Sequence, residues 1–172
     1  MANVSTALTY QDYLALPNDG KRYEIHDGEL SVTPAPNRDP QDVILALGAT
    51  LRAHVLAGGL GKVYVAPFDV ILSDTTVVQP DLIFVAADRA GIALYHGIEG
   101  APTLAVEILS PSSIRTDRTT KHKLYARLGV PYYWIVDPKT RVIRSISRRP
   151  ASTARRNASA VITSPTSRRF PD

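Results

Sequence analysis

The sequence predicts an α/β domain, an α+β arrangement built on a mixed sheet, and three observations predict it. The segments Val78-Gln79-Pro80-Asp81-Leu82-Ile83-Phe84-Val85 and Leu104-Ala105-Val106-Glu107-Ile108-Leu109-Ser110-Pro111 are almost wholly apolar, as strands covered on both faces are. Val43, Ile44, Leu47, Leu51 and Val55 recur at spacings of three and four, the period of a helix with one apolar face. These elements alternate along the chain as helix, three strands, helix and strand. At 172 residues and 44% hydrophobic content, the chain can fill one core.

Each element has a local reason. Thr9 followed by Asp12 forms a capping box and opens a short helix over residues 10–16, stopped by Pro17. Residues 23–26 and 29–32 flank Asp27-Gly28, a pair suited to the positive dihedrals of a two-residue hairpin turn. Asp39 as cap and Pro40 at the first helical position start the long helix, which closes at Gly58-Gly59. Strands over residues 63–72 and 78–85 follow, separated by Ser73-Asp74-Thr75-Thr76. A connection through Gly91, Gly97 and Gly100 leads to a strand over 103–109. Asp117 caps a helix over 118–128 that ends at Gly129, and strands over 132–136 and 142–146 complete the pattern.

Charge divides the chain in two. Before Arg141 there are twelve Lys and Arg against fifteen Asp and Glu, a net of −3; from Arg141 onward there are eight Arg and one Asp, a net of +7. A uniformly basic surface for nucleic acid is therefore not what the composition describes. Residues 1–147 are expected to form the folded domain. Residues 148–172, rich in Arg, Ser and Pro, are expected to be a disordered or degenerate basic tail. With no cysteine, disulfides, thiolate zinc sites and cysteine nucleophiles are excluded. Neither a signal peptide nor a run of about 18–20 apolar residues is visible, so a cytoplasmic protein free of the membrane is expected.

The chemistry lies in charges placed where apolar residues belong. Asp81 and Glu107 each sit in a buried strand, where a carboxylate costs several kcal/mol unless a cation or hydrogen-bond donors meet it. Two such acids suggest a metal. Glu107 and Leu109 point to the same face of their strand, and a nuclease site would carry Glu-x-Lys there. The lysine is missing, but Lys121 shares a helix face with Leu124, Tyr125 and Leu128 and so points inward, whereas Lys123 projects elsewhere.

Together, Q-P-D-L-I-F-V around Asp81, V-E-I-L-S-P-S-S around Glu107, D-R-T-T-K-H-K-L-Y from Asp117 and G-V-P-Y-Y-W-I-V-D-P resemble the Uma family of restriction endonucleases, within the PD-(D/E)XK nuclease superfamily. L-T-Y-Q-D-Y-L-A-L-P and R-Y-E-I-H-D-G-E-L extend the resemblance over residues 8–146. It implies a restriction-endonuclease-like core, a central mixed sheet flanked by helices, with the active site on adjacent strands. It implies further that Asp81, Glu107 and the Ile108 carbonyl hold Mg²⁺ or Mn²⁺, that Lys121 serves as the displaced catalytic lysine, and that Glu24 is a possible third carboxylate. The substrate would be DNA, hydrolysed at its phosphodiester bonds. A homodimer is one expected assembly, and the chain departs from the family from Arg148 onward: if the closing strands are absent, an uncovered sheet edge would cost stability or dimerisation.

Each residue also has a plain structural reading. Asp81 could cap a turn after Pro80, Lys121 could be only an ion-pair partner for Glu107, and Glu24 could be an exposed strand residue. Tyr125 and Trp134 are expected in the core, and His26, His54, His96 and His122 share no ligand spacing. Two other functions fit the same pattern: a catalytically silent nucleic-acid-binding or interaction module, and a hydrolase of smaller phosphoesters.

Overall fold

Helix α1 (Tyr10–Leu14) starts at its expected cap. The Asp12 amide donates to Thr9 Oγ1 at 3.4 Å and the Thr9 amide to the Asp12 carboxylate at 2.8 Å. In this computed structural model of the chain, residues 7–33, 38–110 and 117–147 are described. The tail from residue 148, the loop 112–116 and the side chains of Asp39, Pro40 and Asp117, with the capping roles expected of them, lie outside the described residues.

Strands β1 (Arg22–His26) and β2 (Glu29–Thr33) form the expected hairpin, in register from Arg22 opposite Thr33 to His26 opposite Glu29. Asp27 (φ 54°) and Gly28 (φ 83°) both take the positive dihedral that a tight turn of this hand requires. Helix α2 (Arg38–Ala57) follows, beginning one residue ahead of Asp39. Its apolar stripe of Val43, Ile44, Leu47 and Leu51 packs on one face of a sheet.

The two long strands expected over 63–72 and 78–85 are each broken. The first becomes β3 (Gly61–Val65) and β4 (Val70–Ser73), the second β5 (Thr76–Val78) and β6 (Leu82–Ala86). Pro67 and Pro80 lie in the two breaks, and proline has no amide hydrogen to give a ladder. The chain uses both breaks to cross between sheets. The strands form two mixed sheets of five strands each.

A 3₁₀ turn (Ala87–Ile92) and the short β7 (Ile98–Glu99) occupy the glycine-containing connection. Strand β8 (Leu104–Ile108) is next, every residue of it buried. Where a regular helix over 118–128 was expected, a π-helical turn (Asp117–Lys121) leads into α3 (His122–Arg127). Strands β9 (Tyr132–Asp137) and β10 (Val142–Ser147) close the described chain.

The first sheet has the order β2-β1-β5-β4-β7 and the second β10-β9-β8-β6-β3. In the second, β8 runs antiparallel to β6 and parallel to β9. Leu82, Leu104, Val106 and Ile108 turn toward α2, while Ile83, Val85, Ala105 and Leu109 join Tyr125 and Tyr133 on the other face. By alternation Glu107 belongs to that second face, under α3. No described helix is long and apolar enough to cross a membrane.

Candidate active site

Register places the first two acids. Leu82 pairs with Val106, Ile83 with Ala105 and Phe84 with Leu104; the ladder ends at the first of these pairs, with Asp81 next outward from Leu82 and Glu107 next outward from Val106. Both are buried, at 6% and 2% exposure. Asp81 is met by two donors: the Ile108 amide gives to Oδ2 at 2.7 Å and Arg22 to Oδ1 at 3.1 Å. The sheet crossing at Pro80 thus leaves Asp81 against the end of β8.

Lys121 joins the cluster from the π-helical turn. Its Nζ lies 2.9 Å from both Glu107 Oε1 and Glu24 Oε1, with the lysine only 4% exposed. The inward orientation expected from the helix face is therefore observed, as is the exposure of Lys123. Tyr125 donates its hydroxyl to the same Glu107 Oε1 at 2.9 Å, so it does more than pack beneath the helix. Burial, and next the nearby Glu107 charge, hold the Tyr125 hydroxyl protonated well above the usual tyrosine range.

Glu24 is not an exposed strand glutamate. It is 2% exposed, because β1 lies inside its sheet between β2 and β5. Its Oε1 accepts the Gln79 amide at 2.7 Å, and its Oε2 meets His26 Nε2 at 3.1 Å. Burial alone would raise its pKa, but the Lys121 charge, His26 and the Gln79 amide together hold it well below the usual carboxylate range. Gln79 is itself fixed, its side-chain amide donating to Asp69 Oδ1 at 2.7 Å and to the Tyr13 hydroxyl at 3.0 Å.

All four acids and bases expected from the sequence therefore fall within one region, between the end of β8, the start of β6, β1 and the π-helical turn. Arg22 and His26 were not singled out by sequence reasoning. Arg22, Glu24 and His26 alternate on β1 and so share one face, a polar stripe whose burial shows only once strand order places β1 inside its sheet. Burial opposes the Arg22 charge, yet Asp81, Glu107 and Glu24 in that order outweigh it and hold the guanidinium pKa above its ordinary value. His54, His96 and His122 take no part in the contacts described above, and Trp134 packs at the α2 face with Nε1 on Ser145 Oγ at 3.1 Å.

The donor set suits a hard cation. Carboxylate and carbonyl oxygens are magnesium and manganese ligands. No three His, Cys, Asp or Glu side chains among the described residues are arranged to hold a metal ion. Mg²⁺ is commonly held by one or two carboxylates with water and substrate phosphate completing its shell, so Asp81 and Glu107 are the residues that would hold such an ion.

The fold and the cluster together define a restriction-endonuclease-like α/β protein. A solved structure from Anabaena variabilis, described as "a putative nuclease belonging to DUF820", superposes with a TM-score of 0.70 at 18% identity, covering 84% of this chain and 82% of that one. The Uma2 family model, described as "Putative restriction endonuclease", matches residues 10–166, and the chain belongs to that family. The match runs past Ile146, into the segment where the resemblance read from the sequence had ended. No curated protein matches the chain.

Proposed function

We propose that the protein is a metal-dependent endonuclease that hydrolyses DNA phosphodiester bonds, with Asp81 and Glu107 as the metal carboxylates. The observation that supports this reading is the end of the β6–β8 ladder, where Asp81 accepts the Ile108 amide beside Glu107, which is itself paired with Lys121. The Ile108 carbonyl would add a third oxygen, because a residue's amide and carbonyl leave a strand on the same side and the Ile108 amide already points at Asp81. A divalent ion bound there would supply a water acidified toward neutral pH and positive charge for the phosphate oxygens.

The protein's own groups do the rest. Lys121 and Tyr125 fix Glu107 Oε1, so the carboxylate is oriented before a substrate arrives. Lys121 carries the charge that would meet the phosphate or orient the attacking water, and Glu24 holds the ammonium from its other side. Hydrolysis of supercoiled plasmid with Mg²⁺ or Mn²⁺ tests the reading. Wild-type protein should cut, and Asp81→Ala and Glu107→Ala should not. Absence of cutting by wild type, or equal cutting by all three, refutes it.

One observation favours a second reading, a silent nucleic-acid-binding module on the same fold. Asp81 is paired with Arg22, and Glu24 and Glu107 with Lys121, so each buried acid already has a cation of this chain. Salt-sensitive DNA binding without metal-dependent cutting would select it.

A further inference from the structure

Both oxygens of Asp81 are engaged, and the two partners differ in freedom. The Ile108 amide belongs to β8, a fully buried strand paired on both sides, and cannot leave without breaking the sheet. Arg22 is a long side chain at the first position of β1, 18% exposed, that touches Oδ1 from outside. Any cation that takes Asp81 as a ligand competes with Arg22 for that oxygen.

Arg22 also has somewhere to go. It lines a groove of about 870 Å³ between α2 and β3 that Lys21, Arg52, Asn18, Gln41 and Gln79 share, over an apolar floor. The groove's described lining includes no carboxylate, although the chain before Arg141 carries more acids than bases. Arg52 is exposed there. A guanidinium presents the same fork of donors to a phosphate as to a carboxylate, so exchange of one for the other keeps its hydrogen bonds.

We infer that Arg22 is a displaceable counter-ion: it neutralises Asp81 in the metal-free protein and turns into the α2–β3 groove to hold a backbone phosphate of DNA once a divalent cation takes its place. The inference rests on the reading of Asp81 and Glu107 as metal carboxylates. Arg22 then couples the two binding events, and the coupling is reciprocal: whatever factor the cation adds to DNA affinity, DNA adds to cation affinity.

The test measures binding. Mn²⁺ is titrated into protein without DNA, with free Mn²⁺ read by electron paramagnetic resonance, for wild type, Arg22→Met and an Asp81→Asn control. Arg22→Met should bind Mn²⁺ about tenfold more tightly than wild type, the competitor being gone, and Asp81→Asn should lose binding. Fluorescence anisotropy of a phosphorothioate duplex, with and without Mn²⁺, gives the second half. Mn²⁺ should strengthen DNA binding by wild type, and much of that gain should vanish in Arg22→Met.

Loss of the Mn²⁺-dependent gain in DNA affinity is the signature, since deleting a nearby positive charge would by itself favour the cation and disfavour DNA while leaving that gain in place. Should Arg22→Met fail to fold, Arg22→Lys keeps the charge but not the fork, and its Mn²⁺ affinity should still exceed that of wild type. Mn²⁺ affinity unchanged or weaker in a folded Arg22 variant overturns the inference and leaves the metal site standing. Absence of Mn²⁺ binding by wild type and variants alike overturns the metal reading and the inference with it.

Discussion

Lys121 reaches Glu107 from a π-helical turn fourteen positions along the chain, Nζ to Oε1 2.9 Å, with both side chains almost wholly buried. Position 109, where a Glu-x-Lys strand would carry an ammonium, holds Leu109, which packs in the core. Replacing Lys121 has a direct consequence for stability.

Lys121→Met leaves Glu24 and Glu107 buried together without their cation. Removing one partner of a buried pair costs about 3–5 kcal/mol, so the urea midpoint should fall sharply. Adding Glu24→Gln to Lys121→Met removes one of the stranded charges and should recover part of the loss. Lys123→Met, on the exposed face, should change neither stability nor DNA cutting.

Tyr125→Phe deletes one hydroxyl and little volume. A hydrogen bond to a charged group contributes about 1.5–3 kcal/mol, so the variant should fold but unfold at lower urea. With Glu107 less firmly oriented, plasmid cutting should slow by about tenfold at unchanged DNA affinity. Single-turnover cutting rates and anisotropy read the two effects separately.

Much of this cluster was legible before any coordinates, because a charge inside an apolar run needs a reason. Asp81, Glu107 and Lys121 stand out that way, and each lies in the cluster. The sheet crossings were not legible: Val63 through Leu72 reads as one apolar strand, and only the missing amide of Pro67 hints that its halves serve different sheets. Arg22 and the burial of Glu24 depend on β1 being an interior strand, which is a property of strand order and not of local pattern. The Tyr125 hydroxyl is a similar case. Its helix face was apparent, but the acid above it is set by the packing of α3 on β8.

Acid should loosen the fold through Glu24. Its folded pKa lies well below that of the unfolded chain, so its contribution to stability is fully present above the ordinary glutamate range. That contribution is lost as pH falls from about 4.5 toward the depressed folded value. Urea midpoints between pH 7 and pH 3 should therefore drop below about pH 5, and Glu24→Gln should show a shallower acid decline than wild type. Parallel declines in the two proteins would mean that Glu24 is not strongly paired.

Crystals grown with Mn²⁺ offer the most direct test of the central claim, that Asp81 and Glu107 converge on one divalent cation. Anomalous difference density should lie between the Asp81 and Glu107 carboxylates, within ligand distance of both and of the Ile108 carbonyl. Clear density for the two carboxylates with no anomalous signal between them, at Mn²⁺ concentrations that support binding elsewhere on the molecule, would contradict it.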